Sequence, residues 1–130
     1  MAESEIYRKG QAMRRQLMGE AHADRLDQTT LADPVMKKFT DLVAEAVWGA
    51  LWTRAGLDLK TRALVSVVAV AVSGRTGPLA VMLRVALRQG WTEDELVEAL
   101  VHLSGYVGVP VVREALLTAK DVFAEVRAGG

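Results

Sequence analysis

Asp41, Glu45, Trp48 and Trp52 stand four, three and four residues apart, so a helix would carry them on one face. A carboxylate beside two indoles can wall an apolar pocket, where lost hydration raises the Glu45 pKa toward proton-transfer use. The same residues also read as plain packing, with both Trp in a core or interface and Glu45 solvated or ion-paired. Glu98, His102 and Tyr106 repeat the four-residue step. His102 has the chemistry of a general acid or base, or of a donor to an oxyanion. A single His on an otherwise apolar helix serves equally as a satisfied structural group. Tyr106 precedes a Gly-Val-Pro break at 108–110 and is placed to reach a pocket.

Arg62, Arg75 and Arg84 are the candidate anion binders, because guanidinium pairs carboxylates bidentately. Arg62 and Arg84 suit helix-terminal or interface ion pairs as well. His22 lies in a polar stretch and reads as a surface residue. The two histidines lie far apart without paired carboxylates nearby, so no metal-ligand spacing is present. Gly74-Arg75-Thr76-Gly77 lacks the strand and Lys of a phosphate loop. The chain has no cysteine, which removes disulfides, thiolate metal sites and thiol catalysis together. Any chemistry here is expected to run without metal or cofactor.

The elements that must position these groups are helical. Residues 3–19 are charged and amphipathic, with Ile6, Met13 and Leu17 as apolar positions, and residues 22–30 form a polar connector. Residues 1–30 thus read as an N-terminal arm needing a neighbour to pack on. Asp33-Pro34 is an N-cap acid followed by Pro at the first helical position. From there one helix is expected over residues 35–52, ending near Gly56. Asp58 or Thr61 opens the next element, residues 62–73, whose valines also suit a buried strand. Its length, and the lack of a second strand to pair with, favour helix. Gly74, Gly77 and Pro78 mark a turn before a helix over 79–89, closed by Gly90. Thr92 with Glu95 makes a capping box for a helix through Tyr106. Gly105, Gly108 and Pro110 break the chain before a last helix over 111–126, and Gly129-Gly130 frays. The sum is an all-α chain of about six helices, read as one domain over residues 1–130.

Half of the 130 residues are hydrophobic, which excludes disorder. Sixteen basic residues balance sixteen acidic ones, so neither nucleic acid nor an anionic membrane is an expected partner. The polar start has no signal-peptide pattern and no apolar run reaches a membrane span; a cytoplasmic protein is expected. Residues 64–72 are apolar nearly all round, and such a helix must be buried on every side. A monomer of this size has difficulty enclosing it, so a homo-oligomer is expected.

Residues 57–65 (Leu-Asp-Leu-Lys-Thr-Arg-Ala-Leu-Val), followed by Gly74-Arg75, form one recognisable pattern. Residues 92–100 (Thr-Glu-Asp-Glu-Leu-Val-Glu-Ala-Leu), leading into Gly105-Tyr106-Val107-Gly108-Val109-Pro110, form another. With Trp48-Gly49-Ala50-Leu51-Trp52 and Tyr7-Arg8-Lys9-Gly10, their order resembles the carboxymuconolactone decarboxylase family, relatives of alkylhydroperoxidase D. The resemblance implies an alkylhydroperoxidase D-like helical subunit assembling into a homotrimer or homohexamer, with active sites near subunit interfaces. In the family's redox branch a Glu, two Cys and a His form a proton relay. Those positions fall here on Ala63, Arg75, Pro78 and Met82, so thiol peroxidase chemistry is excluded. The decarboxylase branch keeps a His at the position of Met82 and often an acid at that of Ala50. Glu45 matches an acidic position common in that branch. Arg75 lies close to the expected pocket, and Met82 would line it as an adaptable apolar wall.

Two functions are consistent with these residues. The first is a cofactor-independent lyase, isomerase or cyclase, variant decarboxylases included, acting on a small carbocyclic, lactone or polyketide-like substrate in a mostly apolar pocket. Glu45 and His102 would be catalytic, with Trp48, Trp52, Arg75, Met82 and Tyr106 binding substrate. The alternative is a non-catalytic oligomer that binds a ligand or a partner protein.

Overall fold

Four helices begin where a side-chain oxygen closes the first turn. Ser4 accepts from the Tyr7 amide and opens α1 (Glu5–Met18), and Asp33 accepts from Val35 and opens α3 (Pro34–Val43). Asp58 accepts from Thr61 and opens α4 (Leu59–Val72). Thr92 and Glu95 exchange hydrogen bonds as a capping box at the start of α6 (Glu93–His102). Each such cap satisfies amide donors that a helix leaves unpaired at its start. α2 (Glu20–Gln28) and a short 3₁₀ turn (Thr30–Ala32) lie between α1 and α3. α5 (Thr76–Arg88), the four-residue α7 (Ser104–Val107) and α8 (Val109–Arg127) complete the order. The computed structural model describes residues 3–129; Gly130, half of the expected frayed end, lies outside them. Among the described residues there is no strand, and no helix is long and apolar enough to cross a membrane.

The chain divides into two compact units, one ending at Leu57 and the other beginning at Asp58. In the first, the polar stretch expected as a connector is helix α2, started by Gly19 in the left-handed region (φ 90°). α1 packs within its own unit, against the segment after α3. Its buried face is Gly10, Arg14 and Leu17 rather than the Ile6, Met13 and Leu17 of the hydropathy pattern. The reason is close approach. The expected helix over 35–52 passes instead into a π-helical segment, Ala44–Gly49, whose wider turn ends with the Ala50 amide bonding the Glu45 carbonyl at 2.9 Å. α1 lies against this segment backbone to backbone. A Cβ on Gly10 would fall 1.8 Å from the Ala44 carbonyl oxygen, and one on Gly49 would fall 2.5 Å from that of Ile6.

In the second unit α5 packs on α4 and α8, and α6 on α8 and α4. Val67, Leu79, Leu83, Val85, Leu96 and Leu100 are fully enclosed there. Burial of each such side chain is worth about 1.5–3 kcal/mol. The valine-rich residues 62–73 are helical, resolving the ambiguity with a strand. Helix α4 buries only the stripe Ala63, Val67 and Ala71. Val65 and Val72 stay 56% and 42% exposed, so this chain covers one face of α4 and not the rest. α5 starts before the expected turn ends, taking Thr76, Gly77 and Pro78 into its first turn. The expected helix through Tyr106 stops at His102, α7 follows as a separate turn, and Gly108 (φ 92°) precedes Pro110 in the first turn of α8.

Candidate functional site

In the first unit α1, α2 and α3 surround a cavity of about 340 Å³, the lower end of the size of small-molecule sites (roughly 300–1,000 Å³). Met18, Leu26, Leu31, Phe39, Val43 and Trp48 give it apolar walls, and Tyr7, Gln11, Arg14, Asp27, Lys37 and Asp41 give it polar ones. α1 supplies Tyr7, Gln11 and Arg14 at i, i+4 and i+7, one face of a helix.

These side chains are tied in a chain. Gln11 Nε2 donates to Tyr7 Oη at 2.9 Å, and Arg14 Nε donates to Gln11 Oε1 at 3.2 Å. Arg14 Nη2 donates to Asp27 Oδ1 at 2.6 Å, while Arg15 Nη1 takes the other oxygen of Asp27 at 3.1 Å. Arg15 also pairs with Glu20 and Asp24, and those carboxylates raise its pKa above the usual arginine value. Lys37 pairs with Asp41 at 3.1 Å, and the hydrogen bond to Asp41 raises the Lys37 pKa from its ordinary value. Arg14 is the one buried charged residue among those described, and its Nη1 has no hydrogen-bond partner.

The face expected to carry Asp41, Glu45, Trp48 and Trp52 is divided, because the π segment changes the phase of the helix partway along it. Asp41 and Trp48 line the cavity, whereas Glu45 and Trp52 do not. Glu45 is half-buried and accepts from Ser4 Oγ at 3.2 Å. Trp48 and Trp52 do meet, with ring centroids 5.5 Å apart and planes tilted by 34°. Trp52 is buried, and Trp48 half-buried.

In the second unit His102 and Tyr106 pair as expected from their four-residue step, with ring centroids 5.3 Å apart. Both are exposed, Tyr106 by 76%. Arg75 is exposed at the N-cap of α5, and Met82 is buried on that helix. An open, largely apolar groove of about 460 Å³ runs along Val101, Val109, Leu116 and Leu117, edged by Arg113 and Lys120. None of the four residues expected in the site from this unit lines it. Arg84 pairs with Glu125 and so serves as a structural ion pair.

Tyr7, Gln11, Arg14 and Lys37 were not singled out as site residues by their sequence. The signal was present in the i, i+4, i+7 spacing of the first three. It was masked because hydropathy gives a buried Arg no weight, and because the glycine contact at Gly10 turns that face inward.

Residues 37–121 match the carboxymuconolactone decarboxylase family. The 4-carboxymuconolactone decarboxylase of Acinetobacter baylyi is 31% identical over 125 residues, 96% of this chain and 92% of that protein. The nitrosuccinic acid decarboxylase of Metarhizium robertsii is 28% identical over 115 residues, 88% of this chain and 79% of that protein. An uncharacterized 15.0 kDa protein of Paracoccus denitrificans is 36% identical over 83 residues, 62% of each chain. The match spans well over half of the sequence, and the chain belongs to the carboxymuconolactone decarboxylase family.

Proposed function

We propose that the chain is a cofactor-independent lyase that releases carbon dioxide from a small organic acid, of the carbocyclic, lactone or polyketide-like kind. Similarity to two decarboxylases along most of the chain carries this reading. Decarboxylation breaks a carbon–carboxylate bond and leaves its electron pair on carbon. An electron-withdrawing group of the substrate must hold that pair until an acid supplies a proton. Glu45 is the proposed proton carrier of the first unit, with Trp48 and Trp52 as apolar wall. In the second unit His102 beside Tyr106 is the corresponding candidate, with Arg75 as an anion binder and Met82 as apolar lining. Isomerisation or cyclisation by the same groups would need the same proton movement without loss of carbon dioxide. The working form in this proposal is a cytoplasmic homotrimer or homohexamer. The uncovered valines of α4 support self-association.

The test is carbon dioxide release and substrate loss over a panel of lactone acids and small dicarboxylic acids. Turnover of at least one compound is expected, reduced about 100-fold or more in Glu45→Gln or His102→Gln without a matching change in thermal midpoint. A second reading, a non-catalytic binding protein, is favoured by Met82 standing at a position where the resemblance implies a His. No turnover across the panel, with a panel member raising the midpoint, would select it.

A further inference from the structure

We propose that the cavity of the first unit binds a small uncharged ring compound through its carbonyl oxygen, with Tyr7 and Gln11 as the donors. The charges on the cavity wall are already matched. Arg14 donates Nη2 to Asp27 and Nε to Gln11, and its Nη1 is enclosed in the protein, out of a ligand's reach. Asp27 turns its second oxygen to Arg15, and Lys37 pairs with Asp41. Around Arg14 and Arg15 the carboxylates of Glu20, Asp24 and Asp27 outnumber the guanidinium groups, so an anionic ligand is repelled. Each carboxylate on the wall already holds a cation, so a cationic ligand meets no free partner.

Two hydrogens stay uncommitted. Tyr7 Oη accepts from Gln11 Nε2 at 2.9 Å and donates to no described residue, which leaves the phenolic hydrogen free. The Gln11 amide has a second N–H beyond the one given to Tyr7. Both are donors on neighbouring atoms, and the two lone pairs of one carbonyl oxygen can accept from both. The rest of the wall fits a ring. Trp48 and Phe39 are aromatic, Met18, Leu26 and Leu31 aliphatic, and about 340 Å³ is room for a small molecule.

Helix α3 shows what an occupant would add. It buries no residue, and it packs chiefly on the 3₁₀ turn before it and the π segment after it. The side-chain hydrogen bonds of Lys37, Thr40 and Asp41 close within the helix. Among the described residues no other side chain of α3 makes one. A ring held between α1 and α3 supplies the apolar contact that α3 lacks, so binding should steady this helix. An uncharged carbonyl compound is not the acid of the proposed lyase reaction, and the site stands independently of that reading.

The experiment is a titration of the full chain with cyclohexanone, followed by proton–nitrogen correlation NMR. Cyclohexanecarboxylate and cyclohexylammonium, the same ring carrying either charge, are the controls. Saturable shifts of the Gln11 side-chain amide and the Trp48 indole are expected, half complete below about 10 mM. Neither charged compound should give a saturable shift there. Tyr7→Phe should weaken cyclohexanone binding about fivefold, through the loss of one neutral hydrogen bond. Leu31→Trp adds bulk to the wall and should abolish binding. Saturating ketone should also slow hydrogen exchange of the α3 amides more than that of the α1 amides. If Tyr7→Phe does not fold, as judged by circular dichroism, Leu31→Trp and the charged controls decide. No saturation up to about 50 mM overturns the proposal, and so does carboxylate binding as tight as that of the ketone. Undiminished binding in either folded variant overturns it too, as does exchange of the α3 amides that saturating ketone leaves unchanged.

Discussion

The α-carbon of Gly10 lies so close to the Ala44 carbonyl that a Cβ there would sit 1.8 Å from the oxygen. The obstructing atom is backbone, in the π segment, and cannot swing away as a side-chain end could. Gly10→Ala should therefore destabilise the first unit by about 2–4 kcal/mol, although alanine is the better helix former. Urea denaturation followed by Trp fluorescence measures this. A variant as stable as wild type would mean that the two backbones do not touch.

Asp58 and Glu95 give stability an acid limb. The hydrogen bonds of the Asp58 side chain to Thr61 hold its pKa below the ordinary 3.8. The bond from the Thr92 amide holds that of Glu95 below 4.5. A depressed folded-state value contributes stability above the unfolded pKa and loses it as pH falls through the folded one. Asp58→Asn keeps a capping oxygen without the charge. The gap in thermal midpoint between wild type and Asp58→Asn should thus be fully present at pH 6 and close as pH falls below about 3.8. A gap that is constant from pH 6 to pH 2 would contradict this assignment.

Trp91 ties the turn before α6 to the start of α4. Its indole Nε1 donates to the Lys60 carbonyl at 2.7 Å, and Lys60 Nζ lies 4.6 Å from the ring centroid. Trp91→Phe keeps an aromatic face for the cation but removes the donor, and should cost about 1 kcal/mol. Trp91→Leu removes both and should cost more. Equal stabilities of the two variants in guanidinium denaturation would show that the cation–ring contact adds nothing.

Thr92→Ala breaks the capping box, leaving the Glu95 amide without its side-chain acceptor. The expected loss is about 1 kcal/mol, read as a shifted denaturation midpoint with an unchanged slope. Thr92→Ser, which restores the oxygen, should recover most of it. Failure of serine to rescue would point to the Thr methyl instead.

The helix starts were legible because caps are written in short, local spacings. Asp33-Pro34, Thr92 with Glu95, and the Gly90 stop all appear where their residue types place them. Two features were hidden for a shared reason. The polar residues of α2 point to a connector, yet it forms with only Ala23 buried and is held by ion pairs from Arg14 and Arg15. The π segment looks like ordinary α-helix in sequence, because nothing within residues 44–49 requires the wider turn. It accompanies the glycine contact with α1, which lies more than thirty positions earlier in the sequence. The site divided in the same way. His102 and Tyr106 met at their expected spacing, but the phase change at residues 44–49 separated Glu45 and Trp52 from the cavity that Asp41 and Trp48 line.

The π segment also makes residue count itself a structural quantity. Each residue of an α-helix advances the face by about 100°, and a π turn accommodates one residue more than that rhythm allows. Ala46 is exposed and looks dispensable. Removing it would give a regular helix that leaves the faces on either side near their present phase, whereas making the segment regular with every residue kept would carry Trp52, now buried, about 100° around the axis. Between Ala44 and Trp52, the direction of the later side chains therefore depends on the wide turn being kept as long as the extra residue is present.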